Sequence, residues 1–300
     1  MRTIAHLSDL HFGRHDPLVA DALAASLTER GPDLVAVSGD FTQRARAAEF
    51  AEARAFLERI PQPKLLVPGN HDVPLYDVVA RVLKPFDKFE RFLCPAGVAH
   101  SLFLDDEVAV LGLNTARRFT GKNGRISFEQ MARMRQVFCP LPAPIMKVLV
   151  THHPLASTET QNSVQLAGRS STALRVVAET GVHVLLSGHH HRFSSGAYAP
   201  GGAYAPSGAY APSVAIARRG AAAPPGAAAP DVTVEGHVLV VHAGTAISTR
   251  LRGPEGNNYN WLGIERDRVS ITVMHWASPH GFRAGETEAY VLEKGRWRAA

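Results

Sequence analysis

The sequence predicts an α/β fold with mixed β-sheets, and three features carry that expectation. Short apolar runs, each followed by polar loop residues and then an amphipathic stretch, recur through the first two thirds of the chain, which is the rhythm of βα units. Residues 102–104 and 108–113 flank Asp105-Asp106 as two strands flank a hairpin turn, so antiparallel pairs join the βα units. Strand-like runs resume at 238–242, 261–264 and 269–273, which predicts a second sheet at the C-terminal end.

The elements follow in order. An apolar run at 4–7 leads into Asp9-Leu10-His11, the run at 33–37 into Ser38-Gly39-Asp40, and 65–67 into Gly69-Asn70-His71-Asp72. Further on, 148–150 leads into Thr151-His152-His153-Pro154, and 184–186 into Ser187-Gly188-His189-His190-His191. Between the first two strands, Asp16-Pro17 supplies an N-cap and a first-turn proline, Val19, Leu23 and Leu27 recur at i+4, and Gly31-Pro32 ends the helix. A second helix fits 46–60, and Ser127 with Gln130 forms a capping box that opens a helix through about Val137.

A chain of 300 residues fits one large domain with an insertion. The expected insertion covers about 196–232, where three near-copies of Gly-Ala-Tyr-Ala-Pro precede an Ala/Pro/Gly-rich stretch that buries too little apolar surface to order itself. It reads as a spacer, too short in its repeat for a solenoid. Cys94 and Cys139, with no CxxC spacing, read as small buried hydrophobes in a reducing compartment. The N-terminal residues run straight into a strand, and no segment reaches the ~18 apolar residues of a membrane helix, so a cytoplasmic protein without a membrane span is expected. The net charge of +5 comes from scattered arginines, not from a dense basic run, and gives no nucleic-acid footprint. A small phosphate-bearing partner suits it equally.

All five polar loops follow apolar runs, and loops at the carboxyl ends of parallel strands converge on one crevice. Imidazole and carboxylate donors together suit Zn, Mn or Fe, and a shared carboxylate can bridge two ions. In this order the residues resemble the calcineurin-like metallophosphoesterases, whose blocks are DxH, GD, GNH[DE], H and GHxH. The resemblance spans roughly residues 1–275 apart from the insertion, and it implies a four-layer αββα sandwich of two mixed sheets with a dinuclear metal site at the strand ends.

It also implies the ligand set: Asp9, His11 and His191 on one metal, Asn70, His152 and His189 on the other, and Asp40 bridging. The cofactors would be two divalent or mixed-valence ions, Mn, Fe or Zn. His71 would stand beside the substrate with Asp72 orienting it, and Asn70 would steady developing charge. His152 is expected to be the ligand in preference to His153, and His190 to point away. The expected chemistry is hydrolysis by a hydroxide shared between the metals.

The block Ala243-Gly244-Thr245-Ala246-Ile247-Ser248, followed by Arg250, Arg252 and Asn258-Tyr259-Asn260, is similar to bacterial class III cyclic nucleotide phosphodiesterases. It forms either a tight turn beneath the site or part of the substrate contact. A phosphodiesterase for a small nucleotide such as 3′,5′-cyclic AMP is therefore expected. The alternatives are a nuclease or another phosphodiesterase or phosphomonoesterase of the superfamily, and a catalytically silent metal-binding regulatory module; a homodimer is compatible with all of them.

Overall fold

The apolar runs that precede the polar loops become parallel strands buried on both faces. In the computed structural model, which describes residues 1–94, 101–119, 122–157, 165–198, 237–252 and 255–300, the chain opens with β1 (Arg2–Leu7), α1 (Pro17–Arg30), β2 (Leu34–Val37), α2 (Ala47–Glu58) and β3 (Lys64–Leu66). A 3-10 turn at Asn70–Asp72 leads to α3 (Val78–Leu83), α4 (Asp87–Leu93), β4 (Leu102–Leu104) and β5 (Val108–Leu113). Then come α5 (Phe128–Phe138), β6 (Met146–Thr151), α6 (Ser170–Thr180), β7 (Val184–Ser187), β8 (Ser194–Tyr198) and β9 (Val238–His242). The chain closes with β10 (Asn258–Ile264), β11 (Arg268–Trp276), β12 (Phe282–Glu293) and β13 (Arg296–Ala299).

Two mixed sheets result. The seven-stranded sheet runs β13-β12-β11-β10-β1-β2-β3, and the six-stranded sheet runs β4-β5-β6-β7-β9-β8. β1, β2 and β3 pair in parallel, while β10 joins β1 antiparallel and begins an antiparallel meander through β13. In the other sheet β5, β6, β7 and β9 are parallel, with β4 and β8 antiparallel at the edges.

Side chains alternate across each strand, so the inner strands feed two cores. From β1, Ile4 enters the layer between the sheets, where it joins Leu34, Leu65, Val148, Val150, Val184 and Leu186. Its neighbours Ala5 and Leu7 face the opposite way, onto Leu23, Leu27, Phe50 and Phe56 of the first two helices. On the far side, Leu111, Leu149 and Leu185 pack against Met131, Met134, Leu174 and Val177 of α5 and α6. Three cores separate four layers, which is the expected αββα sandwich. Each fully buried aliphatic side chain contributes roughly 1.5–3 kcal/mol.

Helix ends follow the sequence signals. Asp16 accepts from Leu18 N at 2.9 Å, and Gly31 closes α1 in the left-handed region with φ 56. At α5, Ser127 Oγ accepts from Gln130 N at 3.2 Å while Gln130 Oε1 accepts from Ser127 N at 2.9 Å.

Three expectations need correction. The insertion is expected from about 196, whereas Gly196, Ala197 and Tyr198 are strand residues of β8 paired with Val240, Leu239 and Val238; burying Ala197 and Tyr198 compensates for ordering a glycine-led segment. The rest of that segment lies outside the described residues. Cys139 is exposed at the end of α5 and Cys94 half-buried, so neither is a fully buried hydrophobe. The C-terminal meander also extends past 273 into β12 and β13, whose mostly exposed polar residues carry little apolar periodicity.

Candidate metal centre

The five polar loops meet at one edge of the sandwich, and three of them, after β1, β2 and β7, are built from backbone that ordinary residues avoid. Among the described residues, the non-glycine residues with positive φ are Asp9, His11, Asp40, Ala45, Arg169, His189, His191 and Lys294. Five of these eight belong to the expected ligand set. A left-handed residue costs roughly 1–2 kcal/mol, so the fold holds this strain where the side chains must converge. Glycines make the approach possible. A Cβ on Gly39, whose φ is +98, would lie 2.5 Å from His152 Nδ1, and one on Gly69 would lie 2.1 Å from Asp40 Oδ1.

Each carboxylate splits its two oxygens between protein and crevice. Asp9 Oδ2 accepts from Ser8 Oγ at 2.6 Å and from His189 N at 3.0 Å, whereas the buried Oδ1 has no donor. That orphaned oxygen lies 3.1 Å from His191 Nε2 and 3.7 Å from His11 Nε2. Asp40 Oδ1 accepts from His71 N at 2.8 Å, and Oδ2 lies 3.8 Å from His11 Nε2 and 3.4 Å from His152 Nε2. Asp40 thus stands between two groups of donors.

The imidazoles are oriented by carbonyls. His152 Nδ1 donates to Ser38 O at 2.7 Å, and His191 Nδ1 donates to Arg250 O at 3.1 Å. In the neutral rings this leaves both Nε2 atoms as lone pairs. His152 Nε2 then faces Asn70 Oδ1 at 3.2 Å and His189 Nδ1 at 3.3 Å, and His191 Nε2 faces His11 Nε2 at 3.3 Å. Lone pairs converging at such distances in a buried site suit a cation between them. The donor set is all nitrogen and oxygen, with no thiolate, and it fits two borderline dications.

Electrostatics of the metal-free centre agree. Burial alone would raise the Asp9 carboxyl, but His191 and His11 hold it well below the usual carboxylate range, and His152 does the same for Asp40. Burial works against protonating His152, yet the charges of Asp40 and Asp9 overcome it and push its pKa up to about 9. Without ions, a proton on His152 supplies part of the missing positive charge. His189 is lowered to about 3, by burial first and then by His152.

The neighbouring residues divide clearly. His153 directs Nδ1 to Thr115 Oγ1 at 2.9 Å and Nε2 to Lys122 O at 3.1 Å, so both nitrogens are engaged by the loop after β5 even though its ring lies 4.7 Å from that of His189. His190 belongs to none of the groups of converging ligand atoms. His71 sits beside the centre, its ring 4.8 Å from that of His11, with Nδ1 donating to Gln43 O at 2.8 Å.

Asp72 corrects an expectation. Its carboxylate does not orient the His71 ring; it accepts from the backbone N–H groups of Gly69 at 2.9 Å, Thr42 at 2.9 Å and Phe41 at 3.2 Å. It therefore ties the loop after β3 to the loop after β2. Burial, then the charge of Asp40, raises its pKa to about 6.

Residues 243–248 are a buried turn beneath the site. Thr245 Oγ1 donates to Asp9 O at 2.7 Å, and Ala246 N donates to Ser8 O at 3.0 Å. The sequence gives no signal for Gln43, Ser38 and Arg250 as orienting residues, because each acts through a main-chain carbonyl that any residue carries.

The donors, their strained loops and the four-layer fold define a metallophosphoesterase. The family model of calcineurin-like phosphoesterases matches residues 2–193, and the chain belongs to that family. A glycerophosphodiester phosphodiesterase from Enterobacter lignolyticus is 41% identical over 81 residues, covering 23% of this chain and 29% of that protein. A probable cyclic nucleotide phosphodiesterase from Synechococcus sp. is 32% identical over 82 residues, covering 24% of this chain and 32% of the relative. The matches thus span about a third of these relatives. Among solved structures, a dimetal phosphatase from Danio rerio aligns over 96% of this chain and 98% of its own with a TM-score of 0.60 at 12% identity. Yellow lupin purple acid phosphatase aligns over 96% of this chain and 53% of its own, with TM-score 0.61 at 12% identity. These last two share the fold.

Proposed function

We propose that the chain is a phosphodiesterase acting on a small nucleotide such as 3′,5′-cyclic AMP. The observation that carries this reading is the pair of acceptor clusters facing each other across Asp40. Asp9, His11 and His191 would hold one ion, Asn70, His152 and His189 the other, and Asp40 both. When bound, two dications supply positive charge for a phosphate ester and acidify water at neutral pH.

The chain's own residues do the rest. His71, with Nδ1 held by Gln43 O, keeps Nε2 for a proton at the leaving oxygen. Asn70 turns Oδ1 toward His152, which leaves its amide N–H groups for a phosphate oxygen. The diester preference draws support from two partial relatives that carry phosphodiesterase names. Two unpaired cysteines support a reducing, cytoplasmic setting. No helix among the described residues is long and apolar enough to cross a membrane.

The test is hydrolysis by Mn-reconstituted protein of cyclic AMP beside bis-p-nitrophenyl phosphate and p-nitrophenyl phosphate, with chelator and Asp40→Ala controls. The reading expects metal-dependent turnover of cyclic AMP with kcat/KM above both generic esters. Turnover of the monoester alone would overturn it.

A further inference from the structure

Four arginines outside the metal centre line one cavity of about 270 Å³: Arg117, Arg118, Arg125 and Arg169. Other arginines pair with carboxylates, as Arg59 does with Asp21 and Arg135 with Glu179; among the described residues none of these four does. Glu129, in the first turn of α5, forms no ion pair with Arg117 among the described residues, and its charge offsets only part of the repulsion there. Burial first, then repulsion by Arg125 and Arg169, depresses the pKa of Arg117. A net excess of positive charge is therefore concentrated in one concave place.

The backbone adds to it. Ser127, which lines the same cavity, is the N-cap of α5, and Arg169 stands at the N-cap of α6, whose first turn carries no acidic residue. The positive ends of two helices thus meet the guanidinium groups. The arginines are also held in place. Arg117 Nη1 donates to Asn114 O at 2.7 Å and Ala116 O at 2.8 Å, Arg118 Nη1 donates to Val82 O at 2.6 Å, and Arg169 lies 4.4 Å over the Phe128 ring. Arg125 makes no side-chain hydrogen bond among the described residues and is exposed. Planar guanidinium forks suit phosphate oxygens better than point charges do. The volume falls just below the ~300–1,000 Å³ of sites that enclose whole drug-sized ligands, so it fits a small oxyanion.

The loop that lines the cavity touches His153, a buried neighbour of the metal centre. This loop carries Lys122, whose carbonyl accepts from His153 Nε2 at 3.1 Å, and Gly124, where a Cβ would lie 2.3 Å from the His153 ring. His153 in turn lies 4.7 Å, ring to ring, from His189. We propose, resting on the phosphodiesterase reading above, that the arginine cavity is a phosphate subsite that takes a second phosphate group carried by the substrate. Within small nucleotide diesters this adds a preference for those that bear an additional phosphomonoester over those, such as cyclic AMP, that do not.

Two measurements separate this subsite from the reading it rests on. In the first, inorganic phosphate is titrated into chelator-treated, metal-free protein by ³¹P NMR, with the Arg125→Gln/Arg169→Gln double variant beside wild type and thermal melts of both as a folding check. Wild type is expected to bind, and the double variant to bind about tenfold or more weakly, since hydrogen bonds from charged groups are the strong ones. Equal binding by the two folded proteins overturns the subsite.

In the second, Mn-reconstituted wild type and the single variant Arg125→Gln are given the p-nitrophenyl ester of thymidine 5′-phosphate and the same ester carrying a 3′-phosphate. The ratio of kcat/KM, bisphosphate over monophosphate, is expected to be about ten in wild type and to fall several-fold in Arg125→Gln, with Arg125→Lys between them. A wild-type ratio near one overturns the assignment to a substrate phosphate and leaves free orthophosphate as the occupant. Loss of phosphate binding in the first measurement, with neither ester hydrolysed in the second, supports the anion site while counting against the phosphodiesterase reading.

Discussion

The two halves of the seven-stranded sheet meet at β1 and behave in opposite ways. On one side β1, β2 and β3 run in parallel, so their carboxyl ends lie at one edge and their loops bring Asp9, His11, Asp40, Asn70 and His71 together. On the other side β10 to β13 alternate in direction, so successive connections fall at opposite edges, and they contribute no converging ligand atom. The halves share hydrogen bonding and much of the same core, so strand direction is what separates chemistry from scaffold. The parallel strands of the six-stranded sheet repeat the lesson from across the sandwich, with His152 after β6 and His189 and His191 after β7.

The largest effect expected on the parallel side comes from Asp40→Ala, which removes the one carboxylate that faces both donor groups. Activity and bound metal should fall together, and full metal content in the variant would break the assignment. Next is His71→Ala, for which general acid–base catalysis predicts a kcat loss of about 10²–10⁴-fold. Metal content, measured by elemental analysis, should stay near wild type because His71 anchors to Gln43 O.

In the core that the two sheets share, Leu186→Ala on the parallel strand β7 should lower stability by roughly 2–5 kcal/mol. In the antiparallel half, Thr287→Ala removes an exposed hydroxyl that meets Thr272 Oγ1 at 2.7 Å, and it should shift stability within about 0.5 kcal/mol. Urea melts check both, and similar losses would erase the contrast drawn here.

Acid provides a finer test. His6 and His242 are buried, and desolvation lowers each to about 3 from 6.5. Their folded pKa values lie below the unfolded ones, so the unfolded chain binds more protons between these limits. Their contribution to stability is therefore full above about pH 6.5 and falls as pH drops toward 3. Thermal melts of metal-free protein should show this decline, and His242→Gln should flatten its slope.

The parallel half was legible in the sequence because its demands are local and covalent. A strand buried on both faces needs a continuous apolar run, and a strained loop needs a glycine beside its ligand, as at Gly39-Asp40 and Gly188-His189. The caps at Asp16 and Ser127 are equally local. What escaped depends on distant partners. β12 has exposed polar residues and takes its register from β11, β8 takes its pairing from β9, and the roles of Gln43, Ser38 and Arg250 rest on carbonyl positions that no side chain advertises. The family resemblance implies that Asp72 orients His71, and only the folded loops reveal its backbone partners.

The central claim is that acceptors facing one another across Asp40 await two cations. It is tested most directly by titrating Mn into chelator-treated protein in calorimetry buffers of different ionisation enthalpy. Two ions per chain should bind, with proton release on filling the His152 side, since that imidazole carries a proton up to about pH 9 in the metal-free state. Binding of fewer than two ions, or of two ions undiminished by Asp40→Ala, would contradict it.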